Sequence, residues 1–283
     1  MNTTYHKPYG VRFLLAIPLI AIGFALRTAT LTAAPATETK PTIVLVHGAF
    51  ADSSSWNAVV TRLLAQGYPV VAAANPLRGL RIDSEYVATV FQSIKGPVVA
   101  VGHSYAGSVI TNAAVGNPNV KALVYVAGLA PEPGESAADI SDHFPGSTLG
   151  QTLAPPVALP GGGKDLYIQQ DKFHAQFAAD VPETDAKIMA ATQRPVTEAA
   201  LHDPAGISAW KAIPSWFIFG SLDKNITEAA HSFMAQRAGA KETVDVKGAS
   251  HVVMVSHPDA VVALIKKAAA SIASEPTVKT TAR

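Results

Sequence analysis

The chain of 283 residues contains no cysteine. That absence excludes disulfides, thiolate metal sites and a cysteine nucleophile. It leaves the redox compartment open, except that export would do such a chain no harm. Net charge is equally scarce: 22 Lys and Arg stand against 21 Asp and Glu, and charged residues make up only 15%. A formal charge of +1 gives no electrostatic footprint for nucleic acid, and no nucleic-acid partner is expected. Internal repeats and low-complexity tracts are missing too. The apolar run Phe13 to Leu26 falls short of a comfortable membrane span.

What is present begins with a basic front. His6, Lys7 and Arg12 precede that apolar run, and small residues follow it, with Thr32-Ala33-Ala34 and Ala34-Pro35-Ala36 as cleavage contexts. Residues 1–36 therefore read as an export leader, a signal peptide that sends the protein to the periplasm or outside the cell. Pro35 and Arg27 are untypical of one. Left uncleaved, the segment becomes a membrane anchor with Arg12 and Arg27 snorkelling, and only then is a membrane a partner. Removing residues 1–34 would take away Lys7, Arg12 and Arg27 and no acid, so the small positive charge resides there.

From residue 42 the chain alternates. Strands are expected at Thr42 to Val46, Tyr68 to Ala74, Pro97 to Val101, Val120 to Val126, Ser215 to Phe219 and Lys241 to Val246; Thr42 to Val46, Pro97 to Val101 and Val120 to Val126 read as buried from their apolar, β-branched runs. Helices are expected at Trp56 to Gln66, Ile82 to Ile94, Ser108 to Val115, Thr227 to Gly239 and Pro258 to Ala273. Asp52 or a neighbouring serine is the expected cap of the first, and Asp83 or Ser84 of the second. This rhythm implies an α/β fold, a mostly parallel six-stranded sheet with helices on both faces. Residues 131–210 break it with Pro131, Pro133, Gly134, Pro155, Pro156, Pro160 and Gly161-Gly162-Gly163, and with short helical pieces at Lys172–Ala179, Pro182–Gln193 and Thr197–Leu201. They read as an inserted cap, dividing the chain into a leader (1–36), a core (37–130), the cap (131–210), the rest of the core (211–275) and a tail (276–283).

The stretch the rest is arranged around is PVVAVGHSYAGSVITNAAV, residues 97–115. A strand, a sharp turn carrying Ser104 and a helix form a nucleophile elbow. The turn demands small residues two before and two after the serine, and Gly102 and Ala106 meet that need, although the usual second residue is glycine. G-x-S-x-small is common by chance; its placement between a strand and a helix gives it weight.

A serine hydroxyl needs a base, and histidine titrates in the right range. A carboxylate must then fix the imidazole. In open parallel sheets ligands sit outside the carboxyl ends of strands, and His47, Ser104, Asp223 and His251 all lie just past strand ends. Ser104 as nucleophile, Asp223 as acid and His251 as base follow in that chain order. The N–H groups of Ala49 and Tyr105 are the expected oxyanion donors. The rivals fit less well. His257 precedes Pro258 at a helix start, His103 flanks the serine, His47 suits ordering its loop, and His143, His174 and His202 lie in the cap. Among acids, Asp203 falls in the cap, Asp245 inside a strand, and Glu132 or Glu135 after the strand that precedes the cap. Cap residues that could line a pocket are Phe144, Leu149, Leu153, Phe173, Phe177, Met189 and Trp210; of these Phe144, Phe173 and Trp210, with Phe50 beside the oxyanion loop, are the expected substrate-binding residues.

IVLVHGAF, VVAVGHSYAGSVIT, FGSLD and GASHVVM together resemble the α/β-hydrolase superfamily, and within it the small esterase and hydroxynitrile-lyase-like branch. The resemblance spans about residues 41–273. It implies the same triad and the same oxyanion donors, an ester hydrolase of small, largely apolar substrates working through an acyl-enzyme, and no metal or organic cofactor. A serine at the elbow sets the chain apart from epoxide hydrolases and haloalkane dehalogenases, which use Asp there. Hydroxynitrile lyases of this branch carry Thr where Gly48 stands and Lys after the catalytic His, where this chain has Val252. Lyase-type carbonyl chemistry and a non-catalytic small-ligand binding protein on the same fold are the alternatives. The residues at 48 and 252 predict no cyanohydrin cleavage: incubation with an aromatic cyanohydrin should release no cyanide above the buffer rate.

Overall fold

A computed structural model of the chain describes residues 9–10 and 40–273. The expected leader, apart from Tyr9 and Gly10, and the tail lie outside the described residues. Among the described residues no helix is long and apolar enough to cross a membrane.

The elements run in the expected alternation. β1 (Thr42–Val46) leads through a 3₁₀ turn (Ser53–Trp56) to α1 (Asn57–Ala65), then β2 (Val70–Ala73), α2 (Leu80–Ser93), β3 (Val98–His103), α3 (Ala106–Ala113) and β4 (Val120–Val126). The cap region holds α4 (Ala137–His143), β5 (Val157–Ala158), β6 (Lys164–Leu166), α5 (Gln170–Phe177), α6 (Glu183–Thr192), β7 (Val196–Thr197) and α7 (Glu198–His202). The chain closes with β8 (Ser215–Gly220), α8 (Glu228–Arg237), β9 (Glu242–Val246), α9 (Val253–Ser256) and α10 (Pro258–Ala273).

The large sheet has the order β2-β1-β3-β4-β8-β9, and every neighbouring pair is parallel. β3 is buried at all six residues and β4 at all but Lys121, because helices cover both faces. The chain starts in β1, goes to β2 on one side and returns to β3 on the other. That reversal opens a crevice between the carboxyl ends of β1 and β3. His47 to Phe50 leave the first strand and Ser104 leaves the second.

Two local expectations differ from the structure. α2 begins at Leu80, so Asp83 and Ser84 are buried inside the helix and neither is its N-cap; the open Leu80 N–H instead donates to Asp203 Oδ2 at 2.9 Å. The cap contains a small antiparallel sheet, β5-β6-β7, where only helices are expected. Strands of two or three residues are too short to show a period. Asp52 does cap the first helical segment, accepting from Ser54 N at 2.7 Å.

Around the elbow the backbones approach so closely that side chains are excluded. A Cβ on Gly102 would lie 2.6 Å from the Ala106 carbonyl oxygen, and one on Gly107 would lie 2.3 Å from that of Leu129. The indispensable second glycine is thus Gly107, one residue beyond its usual place, while Gly102 leaves room for the Ala106 main chain. Backbone atoms cannot swing aside as a side-chain tip can. Gly107→Ala should therefore lower unfolding stability by about 3 kcal/mol or prevent folding. Gly161→Ala, where nothing lies within 4 Å, should stay within about 0.5 kcal/mol of the parent. Urea melts of the two variants check the contrast.

Candidate active site

Ser104 sits at φ 54°, in the left-handed region that few side-chain-bearing residues occupy. Its backbone is clamped in that state: Ser104 N–H donates to Val126 O at 3.2 Å, and its carbonyl accepts from Gly107 N at 2.9 Å and Leu129 N at 3.1 Å. α3 starts two residues later, so the Tyr105 N–H stands free at the helix N-terminus. Neither the Tyr105 N–H nor the Ala49 N–H donates to a protein acceptor among the described residues, and both residues line the same cavity as Ser104. Gly48 keeps the two loops together, since a Cβ there would lie 2.7 Å from Ser104 Cβ and 2.6 Å from the His103 carbonyl oxygen.

Asp223 follows β8 directly and its side chain is fully buried. Four donors converge on it. His251 Nδ1 lies 2.6 Å from Oδ2 and His231 Nε2 lies 3.2 Å from the same oxygen. The N–H groups of Asn225 and Ile226 donate to Oδ1 at 2.8 and 3.0 Å. Burial alone would raise its pKa, but the charge of His251 and the hydrogen bonds of both imidazoles outweigh it and hold the carboxyl well below the usual range. Close backbone contact brings the two loops together: a Cβ on Gly220 would lie 2.3 Å from the Ala249 carbonyl oxygen.

His251 is fully buried, its ring against His103 (4.8 Å between centroids) and Phe177 (5.0 Å). With Nδ1 committed to Asp223, its Nε2 has no protein partner, and the residue lines the cavity that Ser104 lines. The structure thus brings Ser104, Asp223, His251, Ala49 and Tyr105 to one rim.

Of the rival residues, His202 lines the same cavity, and several others are engaged elsewhere. His47 bonds to Gly48 O through Nδ1 and accepts from Asn75 N through Nε2, both at 3.0 Å, which orders the loop. His103 Nε2 meets the His251 carbonyl oxygen at 3.2 Å. His257 lies beside Ser256 and Asp180, Glu135 pairs with Arg237, and Asp245 with Lys247.

The cavity measures about 210 Å³. None of its lining residues is Asp, Glu, Lys or Arg. Phe50 and Phe144 line it as expected, with Phe177, Leu149 and Leu153. Phe173 and Trp210 do not, and this corrects the expectation for both. Phe173 is buried behind Phe177, with ring centroids 4.9 Å apart. Trp210 donates through Nε1 to Pro131 O at 3.1 Å and stands under the Arg237 guanidinium, joining cap to core. Met189 lies in a separate depression beside Asp52 and Asp185. Sequence reasoning missed Leu129, Ile140 and Ile226 in the wall, and it missed His231 and Asp83 behind it. Only the eight-residue spacing from Asp223 to His231, which returns α8 over the strand end, could have pointed to His231.

With this site in place, the family follows from comparison: residues 43–264 match the alpha/beta hydrolase family, and the chain belongs to it. The alpha/beta hydrolase nvfD of Aspergillus novofumigatus (strain IBT 16806) is 25% identical over 250 residues, 81% of this chain and 97% of its own length. Among solved structures, polyneuridine aldehyde esterase is similar with a TM-score of 0.70 at 20% identity, over 81% of this chain and 98% of that one. A pyrethroid hydrolase from Sphingobium faniae JZ-2 is similar with a TM-score of 0.66 at 20% identity, over 83% and 99%. Tomato methylketone synthase I, solved with 2-tridecanone, reaches 0.68 at 19% identity, over 82% and 98%. At these identities the structural likenesses establish the fold.

Burial makes three histidines behind the site sensitive to acid. Desolvation lowers the pKa of His47, His103 and His231 below 6.5, for His103 with help from the neighbouring His251 charge. Below that pH the unfolded chain takes up protons that the folded one refuses, so stability must fall as pH falls. Asp223 extends the effect: its contribution is complete above 3.8 and is lost as pH drops towards its lower folded value. Calorimetry should show Tm declining already between about pH 6.5 and 5, before ordinary carboxylates protonate. A flat Tm across that interval contradicts neutral burial of these rings.

Proposed function

We propose that the protein is a serine hydrolase that cleaves carboxylic esters of small, neutral, largely apolar molecules through an acyl-enzyme. The observation that carries this reading is the 2.6 Å bond between Asp223 and His251, at the wall of a cavity that the left-handed Ser104 also lines. Asp223 holds the imidazole with Nδ1 protonated, which leaves Nε2 as the basic nitrogen. His251 Nε2 takes the Ser104 hydroxyl proton as Oγ attacks the ester carbonyl carbon. The oxyanion that forms accepts from the Ala49 and Tyr105 N–H groups. Collapse expels the alcohol, which leaves with the proton from His251, and the acyl group stays on Ser104. Water then repeats the sequence with the same base and releases the acid.

The substrate class follows from the wall. A mostly apolar lining without Asp, Glu, Lys or Arg offers no fixed counter-charge to a carboxylate, a phosphate or an ammonium, so burying a charged substrate would be unfavourable. An ester is preferred to an amide because its leaving group needs less protonation. Phe50, Phe144 and Phe177 supply aromatic surface to the substrate.

A chromogenic short-chain ester tests the proposal. Ser104→Ala should reduce turnover by about 10⁴-fold or more, and a phosphonate ester should label Ser104 covalently, as read by peptide mass. Binding of the ester without turnover would instead favour the non-catalytic reading; turnover unaffected by Ser104→Ala would remove this serine as nucleophile.

A further inference from the structure

Asp223 has an occupant that the proposed triad does not use. His231, on α8, is completely buried and directs Nε2 to the same Oδ2 that holds His251. Its ring lies flat against Phe219 of β8, with centroids 4.7 Å apart and planes 10° from parallel. An ionised carboxylate only accepts, so Nε2 must carry the proton. Nδ1 is then bare, and it is buried with no partner. Filling this space with an aliphatic side chain would leave no polar atom stranded, so packing alone does not account for an imidazole here. The specific bond it makes is to the oxygen that orients the proposed base.

We propose that His231 is a positioning residue: through Oδ2 it fixes the Asp223 carboxylate for His251 and limits how tightly that carboxylate holds the His251 proton. The inference rests on the hydrolase reading above. Two hydrogen bonds to one oxygen compete for the same electron density, so each weakens the other. A neutral donor can do this without cancelling the charge of Asp223, and burial lowers the pKa of His231 in that sense. Without His231, Oδ2 serves His251 alone. The imidazolium is then held more strongly, and the carboxylate, short of one of its restraints, rotates more freely.

Other groups face this pair. His103 from β3 lies against the His251 ring, His47 stands beyond it, and Asp180 reaches the neighbouring Ser250. Glu228 on α8 and Lys247 pair at the surface. Substitution at 231 changes none of them.

The test uses His231→Leu, which removes the donor, and His231→Gln, whose amide nitrogen falls near the position of Nε2. In the leucine variant the acid limb of kcat/KM should move up by about half a pH unit or more. Its kcat should fall on the order of ten- to a hundredfold with KM little changed. The glutamine variant should restore both towards the parent. If leucine prevents folding, His231→Asn takes its place, because its shorter amide cannot reach Oδ2; asparagine should then shift the limb where glutamine does not. Variants that all match the parent, or that are all impaired alike, overturn the proposal in favour of plain packing. The proton NMR signal of His251 Nδ1–H, read without substrate, separates this inference from the reading it rests on. A signal that moves with leucine and returns with glutamine supports the role of His231 even if no ester is turned over, whereas an unchanged signal in an active enzyme removes His231 alone.

Discussion

A full negative charge in a dry interior is the constraint around which this molecule is arranged. Asp223 has no exposed side-chain surface, and an isolated carboxylate there would cost several kcal/mol. It stays ionised because four donors from three places reach it: the turn after β8, α8, and the loop that carries His251. Each of the three places belongs to a different part of the fold. The Asn225 and Ile226 amides come from the turn that starts at Asp223 itself. His231 is delivered by the helix that follows. His251 arrives after another strand, through a loop that Gly220 allows to lie against the strand end.

The second constraint is spatial. Between β1, β3 and β4 the backbones meet at Gly48, Gly102, Gly107 and Gly128, where a single carbon would collide with main-chain atoms. This seam holds Ser104 in its left-handed turn and keeps Ala49 and Tyr105 at the cavity that Ser104 lines. Tyr105 is anchored from below as well: its hydroxyl donates to Asp83 Oδ2 at 2.8 Å, while Asp83 Oδ1 accepts from Arg78 N at 3.0 Å. Desolvation raises the pKa of that carboxyl, and the phenol beside it is pushed higher still by burial and the acid's charge. Strained backbone and free amides are thus held by neighbours that have little room to move.

The core was legible because its signals are local. β1, β4 and α10 have the bounds expected from β-branched runs and helical spacing, and the position of Ser104, Asp223 and His251 just past strand ends puts three distant residues at one sheet edge. The cap was not legible for the same reason in reverse. Its strands are two or three residues long, and whether an aromatic side chain lines a cavity or fills the layer behind it depends on packing that no spacing encodes. Phe144 and Phe173 look alike in sequence; one faces the cavity and the other supports Phe177. Asp83 reads as a helix cap because acids prefer first turns, yet the folded chain draws it inward for Tyr105 and recruits Asp203 for the helix end.

The loop that bears Ala49 is tied to the cap through Phe50, whose ring meets Phe177 edge-on. Phe50 stands at φ 58°, and its N–H donates to the carbonyl of Arg194 at 2.9 Å, the residue two before β7. The peptide that follows the Ala49 amide thus takes its bearing partly from the cap, the part of the chain that shapes the cavity. On the proposed hydrolase reading, selectivity and rate share a hinge pin in this architecture, and reshaping the cap also shifts the loop beneath it.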